Sequence, residues 1–121
     1  MTVLIADDDR DTRMIYGTYL ESAGVDVITV PNGKRALAEA KARRPDVIVL
    51  DLSMPGMDGY TAARRLKASP DTADIPVIAL SGATTAREAA REAGCDGYLA
   101  KPCLPDLLLW EVRAFFATPL D

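Results

Sequence analysis

Acidic residues, a serine and a lysine stand where apolar stretches of the sequence end. Asp51 closes an unbroken apolar run, and Asp7 and Asp8 follow an earlier one. Ser81 and Lys101 come at the ends of two later runs. An apolar run without alternation is typical of a strand buried on both faces, as in the middle of a parallel sheet. Because the carboxyl ends of parallel strands lie along one edge, we expect these side chains to converge there.

The chemistry that such a group could perform is phosphoryl transfer with a divalent cation. Carboxylates that lie close together repel one another and stay ionised together only when a cation lies among them. Oxygen ligands that leave room for water and phosphate oxygens suit Mg²⁺. A hydroxyl from Ser81 and an ammonium from Lys101 beside a metal-bound carboxylate form a site for phosphate. The pattern therefore predicts Mg²⁺ and a phosphoryl group on Asp51.

Each of these residues also has an ordinary interpretation when it is considered alone. Asp51 would cap a turn, Ser81 would cap a helix and Lys101 would be a solvated lysine. Their joint placement at strand ends favours the site instead. For Asp9 we prefer the ordinary interpretation, because a carboxylate at a helix N-terminus is stabilised by the helix dipole.

Strand and helix patterns alternate five times along the chain. Apolar runs predict strands over residues 2–6, 25–30, 46–51, 75–80 and 97–100. Apolar side chains at three- and four-residue spacing predict the helices, the last over about 106–117. The expected boundary residues are Gly24 and Gly94 at helix ends, and Asp9, Asn32, Asp58 or Gly59, Thr85 with Glu88, and Pro105 at helix starts. Alternation with short connections predicts an α/β fold in which helices cover both faces of a parallel sheet, as one domain over residues 1–121.

Composition narrows the class of protein. The chain has 121 residues, 49% of them hydrophobic, and a formal net charge of −4, which argues against a nucleic-acid-binding surface. A run of roughly 18 apolar residues and a secretory leader are both absent, so neither a membrane span nor export is expected. The absence of histidine excludes histidine-based catalysis within this chain. Cys95 and Cys103 lack the spacing of a zinc site, which favours thiols in a reducing, cytoplasmic setting.

The sequence resembles a known family, the receiver domains of response regulators in two-component signalling. It resembles their stand-alone, chemotaxis-regulator-like form. The resemblance covers the whole chain, with each motif in order and at the family's spacing. The motifs are Val3 to Asp9, Asp46 to Pro55, Met57 to Gly59, Ile75 to Gly82 and Gly97 to Pro102. The resemblance implies a flavodoxin-like (βα)5 fold with a five-stranded parallel sheet in the order 2-1-3-4-5. It also implies a cis bond between Lys101 and Pro102.

The resemblance assigns the phosphoryl and metal chemistry to particular residues. Asp51 matches the phosphoacceptor, which takes its phosphoryl group from a phosphohistidine of a histidine kinase or histidine phosphotransfer protein. Asp8 matches the direct Mg²⁺ ligand and Asp7 the acidic neighbour that holds the ion through water. The backbone carbonyl of Ser53 matches the remaining protein ligand.

The resemblance also assigns the residues of the switch. Lys101 matches the lysine that pairs with Asp51 and then with the phosphoryl oxygens. Ser81 matches the hydroxyl that turns in to bind phosphate. Tyr98, which alone would be a core aromatic, matches the ring that becomes buried when Ser81 moves. Such a domain catalyses only its own phosphorylation and dephosphorylation, and signals by altered contacts with a downstream protein or a second copy.

The last predicted helix is apolar nearly all round. Its predicted core face consists of Leu104, Leu108, Val112 and Phe115, which leaves over Leu107, Leu109, Trp110 and Phe116. We hypothesise that Tyr98, Leu107 and Trp110 belong to a surface for a partner or a second copy, with Trp110 as its anchor. The alternative is that this helix packs more deeply against the helix that begins near Thr85.

Two other functions share parts of the same residue set. A haloacid-dehalogenase-like phosphatase also uses an aspartate nucleophile and Mg²⁺, and Asp7 to Asp9 superficially fits its first motif. However, Asp11 stands where that motif requires threonine or valine, and the chain is short for a substrate cap. A pseudo-receiver would dock partners without ever taking phosphate. The complete set of Asp8, Asp51, Ser81 and Lys101 argues against it.

Overall fold

The computed structural model describes residues 1–83 and 86–116. Within them, strands and helices alternate as predicted. The strands are β1 (Thr2–Ala6), β2 (Asp26–Val30), β3 (Val47–Asp51), β4 (Val77–Ser81) and β5 (Gly97–Ala100). The helices are α1 (Arg10–Ser22), α2 (Gly33–Arg43), α3 (Gly59–Ala68), α4 (Ala86–Glu92) and α5 (Pro105–Phe116). Thr85, Ala117 and the side chain of Phe116, which carry expectations above, lie outside the described residues.

The strands form one parallel sheet of five strands in the order β2-β1-β3-β4-β5, which confirms the predicted fold. The order reverses between β1 and β3, and open α/β sheets bind their ligands outside the carboxyl ends of the strands at such a point. Every residue of β3 and β4 is buried, as the apolar runs predicted.

The core lies in layers on the two faces of the sheet, because successive strand residues point in opposite directions. Val3 and Ile5 of β1 pack in a cluster with side chains from α1 and α5. Leu4 and Ala6 pack in a second cluster with side chains from α2 and α3. A smaller third cluster joins α4 to Ala79 and Leu52.

Helix starts and ends follow the expected capping residues. The side chains of Asp9, Asn32 and Asp58 cap α1, α2 and α3 by accepting hydrogen bonds from backbone N–H groups. Gly24 and Gly94 follow α1 and α4 with φ of 89° and 94°, a conformation that favours glycine. Pro105 is the first residue of α5, and Lys101-Pro102 is a cis bond, as predicted.

The fourth strand lies slightly later in the chain than its predicted range. It runs over Val77–Ser81, not 75–80. Its last residue pairs with Ala100 of β5, and Ser81 accepts a hydrogen bond from the Lys101 N–H at 2.8 Å. The predicted site residue Ser81 is therefore part of the sheet itself.

The predicted core face of α5 is wrong at Leu104. That side chain is 66% exposed, because Leu104 lies before the helix, where the helical periodicity does not yet apply. Leu108 and Val112 are fully buried, as predicted, and Phe115 is half-buried. Leu109, which was not assigned to the predicted core face, is also buried.

The remaining apolar residues of α5 face outward. Leu107 is 53% and Trp110 is 70% exposed. The alternative of deeper packing against α4 therefore does not hold for Trp110 within the part of the chain that the structure describes. Outward-facing apolar side chains also lie on α1, where Met14 and Ile15 are more than half exposed.

Each of the described helices is too short or too polar to cross a membrane. Cys95 and Cys103 are half-buried and not joined in a disulfide. Burial raises the pKa of the Cys95 thiol to about 11, so this group is protonated at neutral pH.

Candidate functional site

The predicted acidic residues meet at the carboxyl edge of the sheet. Asp7 and Asp8 follow β1 and Asp51 ends β3, and these strands are neighbours. One carboxylate oxygen from each of the three lies within 4.8 Å of the others. Asp7 and Asp51 are only 1% and 2% exposed, whereas Asp8 is exposed. The buried pair thus forms the floor of the site and Asp8 its rim.

Backbone hydrogen bonds fix the two buried carboxylates. Asp7 Oδ1 accepts from the N–H of Asp9 at 2.9 Å, and Asp51 Oδ1 accepts from the N–H of Ser53 at 3.0 Å. In each case the second oxygen, Oδ2, faces the ammonium of Lys101. The Lys101 Nζ lies 3.1 Å from Asp51 and 3.3 Å from Asp7. Lys101 therefore pairs with two carboxylates, whereas the prediction paired it with Asp51 alone.

Lys101 keeps its charge in this environment. Burial by itself would lower the pKa of the lysine, but the hydrogen bond to Asp51 and the charges of Asp51 and Asp7 outweigh that effect and raise it. The ammonium is consequently positive at neutral pH. It is held from the backbone by the bond between the Lys101 N–H and the Ser81 carbonyl oxygen.

The balance of charge around Asp51 leaves room for a cation. Burial raises the pKa of Asp51, the N–H of Ser53 and the ammonium of Lys101 lower it, and the charge of Asp7 raises it further. Three carboxylates face one ammonium, so the charge of Lys101 alone does not balance the formal charge of the cluster. The oxygen ligands of Asp7, Asp8 and Asp51, one of which is exposed to water, are of the type that holds a hard divalent cation.

Two neighbouring cavities lie at the site, one beside Asp8 and the other beside Ser81. One cavity of about 520 Å³ is lined by Asp8, Leu52, Ser53, Met54, Pro55, Asp58 and Tyr60. A second of about 380 Å³ is lined by Leu52, Ser53, Tyr60, Ser81, Gly82 and Ala83. The two cavities share Leu52, Ser53 and Tyr60, so they lie side by side next to the residues that follow Asp51.

Gly59 allows α3 to begin directly against the end of β3, which carries Asp51. A Cβ at this position would lie 2.5 Å from Leu52 Cα and closer still to the carbonyl oxygen of Asp51. No side chain fits there. From the sequence, Gly59 was expected at a helix start and within the motif Met57 to Gly59, but not as a point of close contact. The pair Asp58-Gly59, which follows the loop after Asp51, was the one signal in the sequence that two backbone segments approach closely here.

Ser81 and Tyr98 are linked through a third residue. Ser81 is 4% exposed, and its Oγ accepts from the N–H of Ala83 at 3.0 Å. The Tyr98 hydroxyl donates to the carbonyl oxygen of the same Ala83 at 3.0 Å. The guanidinium of Arg87 lies 4.9 Å from the centre of the Tyr98 ring. Tyr98 is therefore outside the acidic cluster but is connected to Ser81 through the backbone of the β4–α4 loop.

Arg87 was not predicted from the sequence, and neither was the link that the backbone of Ala83 makes between Ser81 and Tyr98. Ala83 acts through its backbone, which leaves no signal in the choice of side chain. Arg87 meets Tyr98 only because α4 packs beside β5. The other predicted surface residues, Leu107 and Trp110, are exposed on α5 and do not belong to the acidic cluster.

Comparison with known families adds independent information. The family model described as "Response regulator receiver domain" matches residues 3–113. The phosphate regulon transcriptional regulatory protein PhoB of Pseudomonas aeruginosa is 37% identical over 115 residues, which are 93% of this chain and 50% of PhoB. The chain thus spans about half the length of this and most of the other curated relatives it matches.

Solved structures agree in fold with this chain. The chemotaxis protein CheY4 of Vibrio cholerae superimposes with a TM-score of 0.88 at 30% identity, over 94% of this chain and 97% of CheY4. The receiver domain of the sensor histidine kinase PA1611 from Pseudomonas aeruginosa gives 0.87 at 30% identity, over 94% and 95% of the two chains. That structure contains a magnesium ion coordinated in its active-site cleft.

Proposed function

Because the chain belongs to the response regulator receiver domain family, we propose that it is a phosphorylation switch in which Asp51 is the phosphoacceptor. The observation that carries the proposal is the position of the Lys101 ammonium, 3.1 Å from Asp51 and 3.3 Å from Asp7 within a cluster of carboxylates. The family match favours neither a haloacid-dehalogenase-like phosphatase nor a phosphate-independent docking module.

The transfer step requires little covalent chemistry from the protein. A carboxylate oxygen of Asp51 forms a bond to phosphorus as the bond from phosphorus to the donor's histidine nitrogen breaks. The Lys101 ammonium neutralises charge on the transferring oxygens, and the Ser81 hydroxyl donates a hydrogen bond to one of them. Positioning of these groups is therefore the main contribution of the chain.

Asp7, Asp8, Asp51 and the backbone carbonyl of Ser53 would hold Mg²⁺. Hard oxygen donors and an exposed rim suit this ion, which retains several waters when bound to protein. Its chemistry would be to supply positive charge to the carboxylates and the phosphoryl oxygens. In our proposal Asp8 ligates directly and Asp7 through water.

We propose that the signal leaves the site through the β4–α4 loop. A phosphoryl group on Asp51 would draw the Ser81 hydroxyl toward it, which would break the bond to the Ala83 N–H. Since Ala83 also accepts the hydroxyl bond of Tyr98, the two side chains would move together. This is a two-state element biased by one covalent charge.

The partners and the setting of the switch also belong to the proposal. The donor is a histidine kinase or histidine phosphotransfer protein, and residues 1–121 form one receiver domain. The domain acts only on its own phosphoryl group, and the two thiols suit a reducing, cytoplasmic compartment.

The proposed output surface consists of Tyr98, Leu107 and Trp110, with a downstream protein or a second copy as its occupant. Trp110→Ala is expected to weaken self-association of the phosphorylated chain at least tenfold in sedimentation equilibrium, because an exposed tryptophan is the type of residue that anchors interfaces. Met14→Ala on α1, also exposed, is the matched control. Unchanged self-association and unchanged target capture in Trp110→Ala would remove this residue from the surface.

The test of the phosphoacceptor is the intact mass after incubation with Mg²⁺ and acetyl phosphate. We expect a gain of one phosphoryl group that is lost in Asp51→Asn and in chelator. Asp11→Asn, an exposed acid in the first turn of α1, is the control and should gain the group normally. A gain that persists in Asp51→Asn would contradict the assignment of Asp51. The absence of any gain, together with no stabilisation by Mg²⁺, would contradict the proposed function as a whole.

A further inference from the structure

Helix α1 makes two hydrogen bonds to backbone atoms beside the site, and the proposed phosphoryl transfer uses neither. The hydroxyl of Tyr16 donates to the carbonyl oxygen of Cys103 at 2.7 Å. Arg13 Nη1 donates to the carbonyl oxygen of Asp7, also at 2.7 Å. Arg13 and Tyr16 are three residues apart and therefore lie on one side of the helix. A single helix thus holds the backbone next to both members of the Asp7–Lys101 ion pair.

The segment that Tyr16 holds is short and has little freedom. Lys101 is anchored at its start, where its N–H donates to the Ser81 carbonyl oxygen at 2.8 Å. Pro102 fixes its own φ, which removes one rotation between the lysine and Cys103. The bond from Tyr16 fixes the far end of the same segment. The place of the lysine backbone is consequently set from two sides.

Tyr16 is well suited to be a fixed donor. It is 5% exposed and packs in the cluster formed by α1, α5 and the sheet. Burial raises the pKa of its hydroxyl, with a further rise from the nearby Cys103. The group therefore keeps its proton at neutral pH. Because a tyrosine in a packed cluster has few rotamers, its oxygen is held at one place.

We propose that Tyr16 is a positioning residue for phosphoryl transfer, which acts through the Cys103 carbonyl to hold the Lys101 ammonium between Asp7 and Asp51. Arg13 holds the backbone of Asp7 from the same helix. The inference rests on the proposed role of Asp51. An ammonium displaced from the transferring oxygens stabilises their charge less, so loss of the Tyr16 hydroxyl would slow the transfer.

The test is Tyr16→Phe, which removes one oxygen and leaves the ring in the core. The rate of phosphorylation is measured by intact mass over a series of acetyl phosphate concentrations, at saturating Mg²⁺ and at a temperature where a thermal melt shows full folding. We expect the maximal rate to fall by roughly three- to tenfold. The Mg²⁺ concentration that gives half the maximal rate should not change, because Tyr16 does not touch the carboxylates that would hold the ion.

Thr72→Val is a matched control for the loss of stability. The Thr72 hydroxyl is also buried and also donates to a backbone carbonyl, that of Leu66, at 2.6 Å. It lies before the amino end of β4, at the edge of the sheet opposite the site. Tyr19→Phe, on the same helix but 39% exposed, is a control for the loss of a tyrosine hydroxyl. Both variants should keep the wild-type rate.

The outcomes separate this inference from the proposed function. A wild-type rate in Tyr16→Phe, while the wild-type chain is phosphorylated normally, overturns the positioning role. An equal slowing of Tyr16→Phe and Thr72→Val also overturns it, because the effect is then one of general stability. If the wild-type chain takes no phosphoryl group, the proposed function fails and this inference fails with it.

Discussion

At the scale of single residues, the buried carboxylate of Asp51 lowers the stability of the folded state at neutral pH. Asp51 is buried, and burial raises its pKa above the ordinary 3.8 of an aspartate. A carboxyl with a raised pKa in the folded state binds its proton more tightly there than in the unfolded chain. The stability that this provides is complete below about pH 3.8 and is lost as the pH rises through the folded pKa. Ionised Asp51 therefore destabilises the metal-free fold at neutral pH.

The first prediction follows from the raised pKa of Asp51. In chelator at pH 7, Asp51→Asn should be more stable than the wild type by about 1 kcal/mol, because a neutral amide removes a buried charge. The difference should shrink as the pH falls toward 3.8, where Asp51 becomes protonated in both states. Urea denaturation at a series of pH values measures it, with Asp11→Asn as the exposed control. A less stable Asp51→Asn at pH 7 would show that its bonds to Lys101 outweigh the burial of its charge.

The second prediction concerns the close approach at Gly59. Gly59→Ala should cost about 2–3 kcal/mol and abolish phosphorylation, because the added methyl group would displace the backbone that carries Asp51. Gly17→Ala is the matched control. There a Cβ would meet its nearest neighbour, a methyl group of Thr29, at 3.6 Å, an ordinary contact. That change should stabilise α1 by about 0.5–1 kcal/mol. Thermal denaturation and the mass assay together distinguish the two, and similar behaviour of both variants would contradict the prediction.

The residues that sequence could predict are those whose side-chain chemistry is unusual for a strand end. Asp7, Asp51 and Lys101 stood out because charged groups followed buried apolar runs, and the structure brings them together. Tyr16 and Arg13 could not be found in this way. Their partners are backbone carbonyl oxygens, which every residue has, so the contact leaves no mark on the sequence of the partner segment.

At the scale of elements, an ion pair joins a helix to two strands at the edge of the sheet opposite the site. The ammonium of Lys67, near the end of α3, lies 2.7 Å from Asp96 and 2.7 Å from the carbonyl oxygen of Ile75. Asp96 in turn accepts from the N–H of Val77 at 2.9 Å. These contacts join α3, β4 and the residue before β5. Only 20% of the Lys67 side chain is exposed, so the pair is partly shielded from solvent.

The third prediction is that Lys67→Met destabilises the fold without changing the site. We expect a loss of about 1 kcal/mol, because the Ile75 carbonyl oxygen and the Asp96 carboxylate, which is 40% exposed, lose their donor. Lys41→Met is the control, since its ion pair with Asp71 spans 3.7 Å and is largely exposed. That change should stay within about 0.5 kcal/mol. Urea denaturation measures both, and a slower phosphorylation of folded Lys67→Met would contradict the separation of this edge from the site.

The order of the elements and their capping residues could be predicted because each depends on local chemistry. The face of α5 that packs against the core could not be predicted in this way. Leu104 fits the helical spacing of Leu108, but its own backbone lies before the first helical residue and turns its side chain outward. Which apolar residues of an all-round apolar helix face the core depends on packing against α1 and the sheet, and such long-range contacts are not contained in a periodic pattern.

At the scale of the whole molecule, we expect the stability of the fold to depend on divalent cations in solution. The charge of −4 is partly concentrated at one edge, where three carboxylates face a single ammonium. A ligand that binds only the folded state stabilises it by mass action. Removal of Mg²⁺ should therefore lower the stability of the entire domain, not of the site loops alone, because the carboxylates are attached to the central strands.

The fourth prediction is a rise in thermal stability with Mg²⁺. At a hundredfold excess over the dissociation constant, the gain should be about 2.7 kcal/mol. Asp8→Asn should lose most of it, whereas Asp11→Asn, outside the cluster, should keep it. Thermal denaturation at increasing Mg²⁺, reversed by chelator, measures the effect. An equal Mg²⁺ response in both variants would indicate binding elsewhere on the acidic surface.

Trp110 has an optical consequence. It is the single tryptophan of the chain and is 70% exposed in the folded domain. Its indole already emits from a largely aqueous environment, so its fluorescence should change little when the chain unfolds. Anything that covers α5 should instead shift the emission to shorter wavelength and shield it from dissolved quenchers. The fluorescence of Trp110 should therefore report binding at α5 and should report little of the folding of the chain.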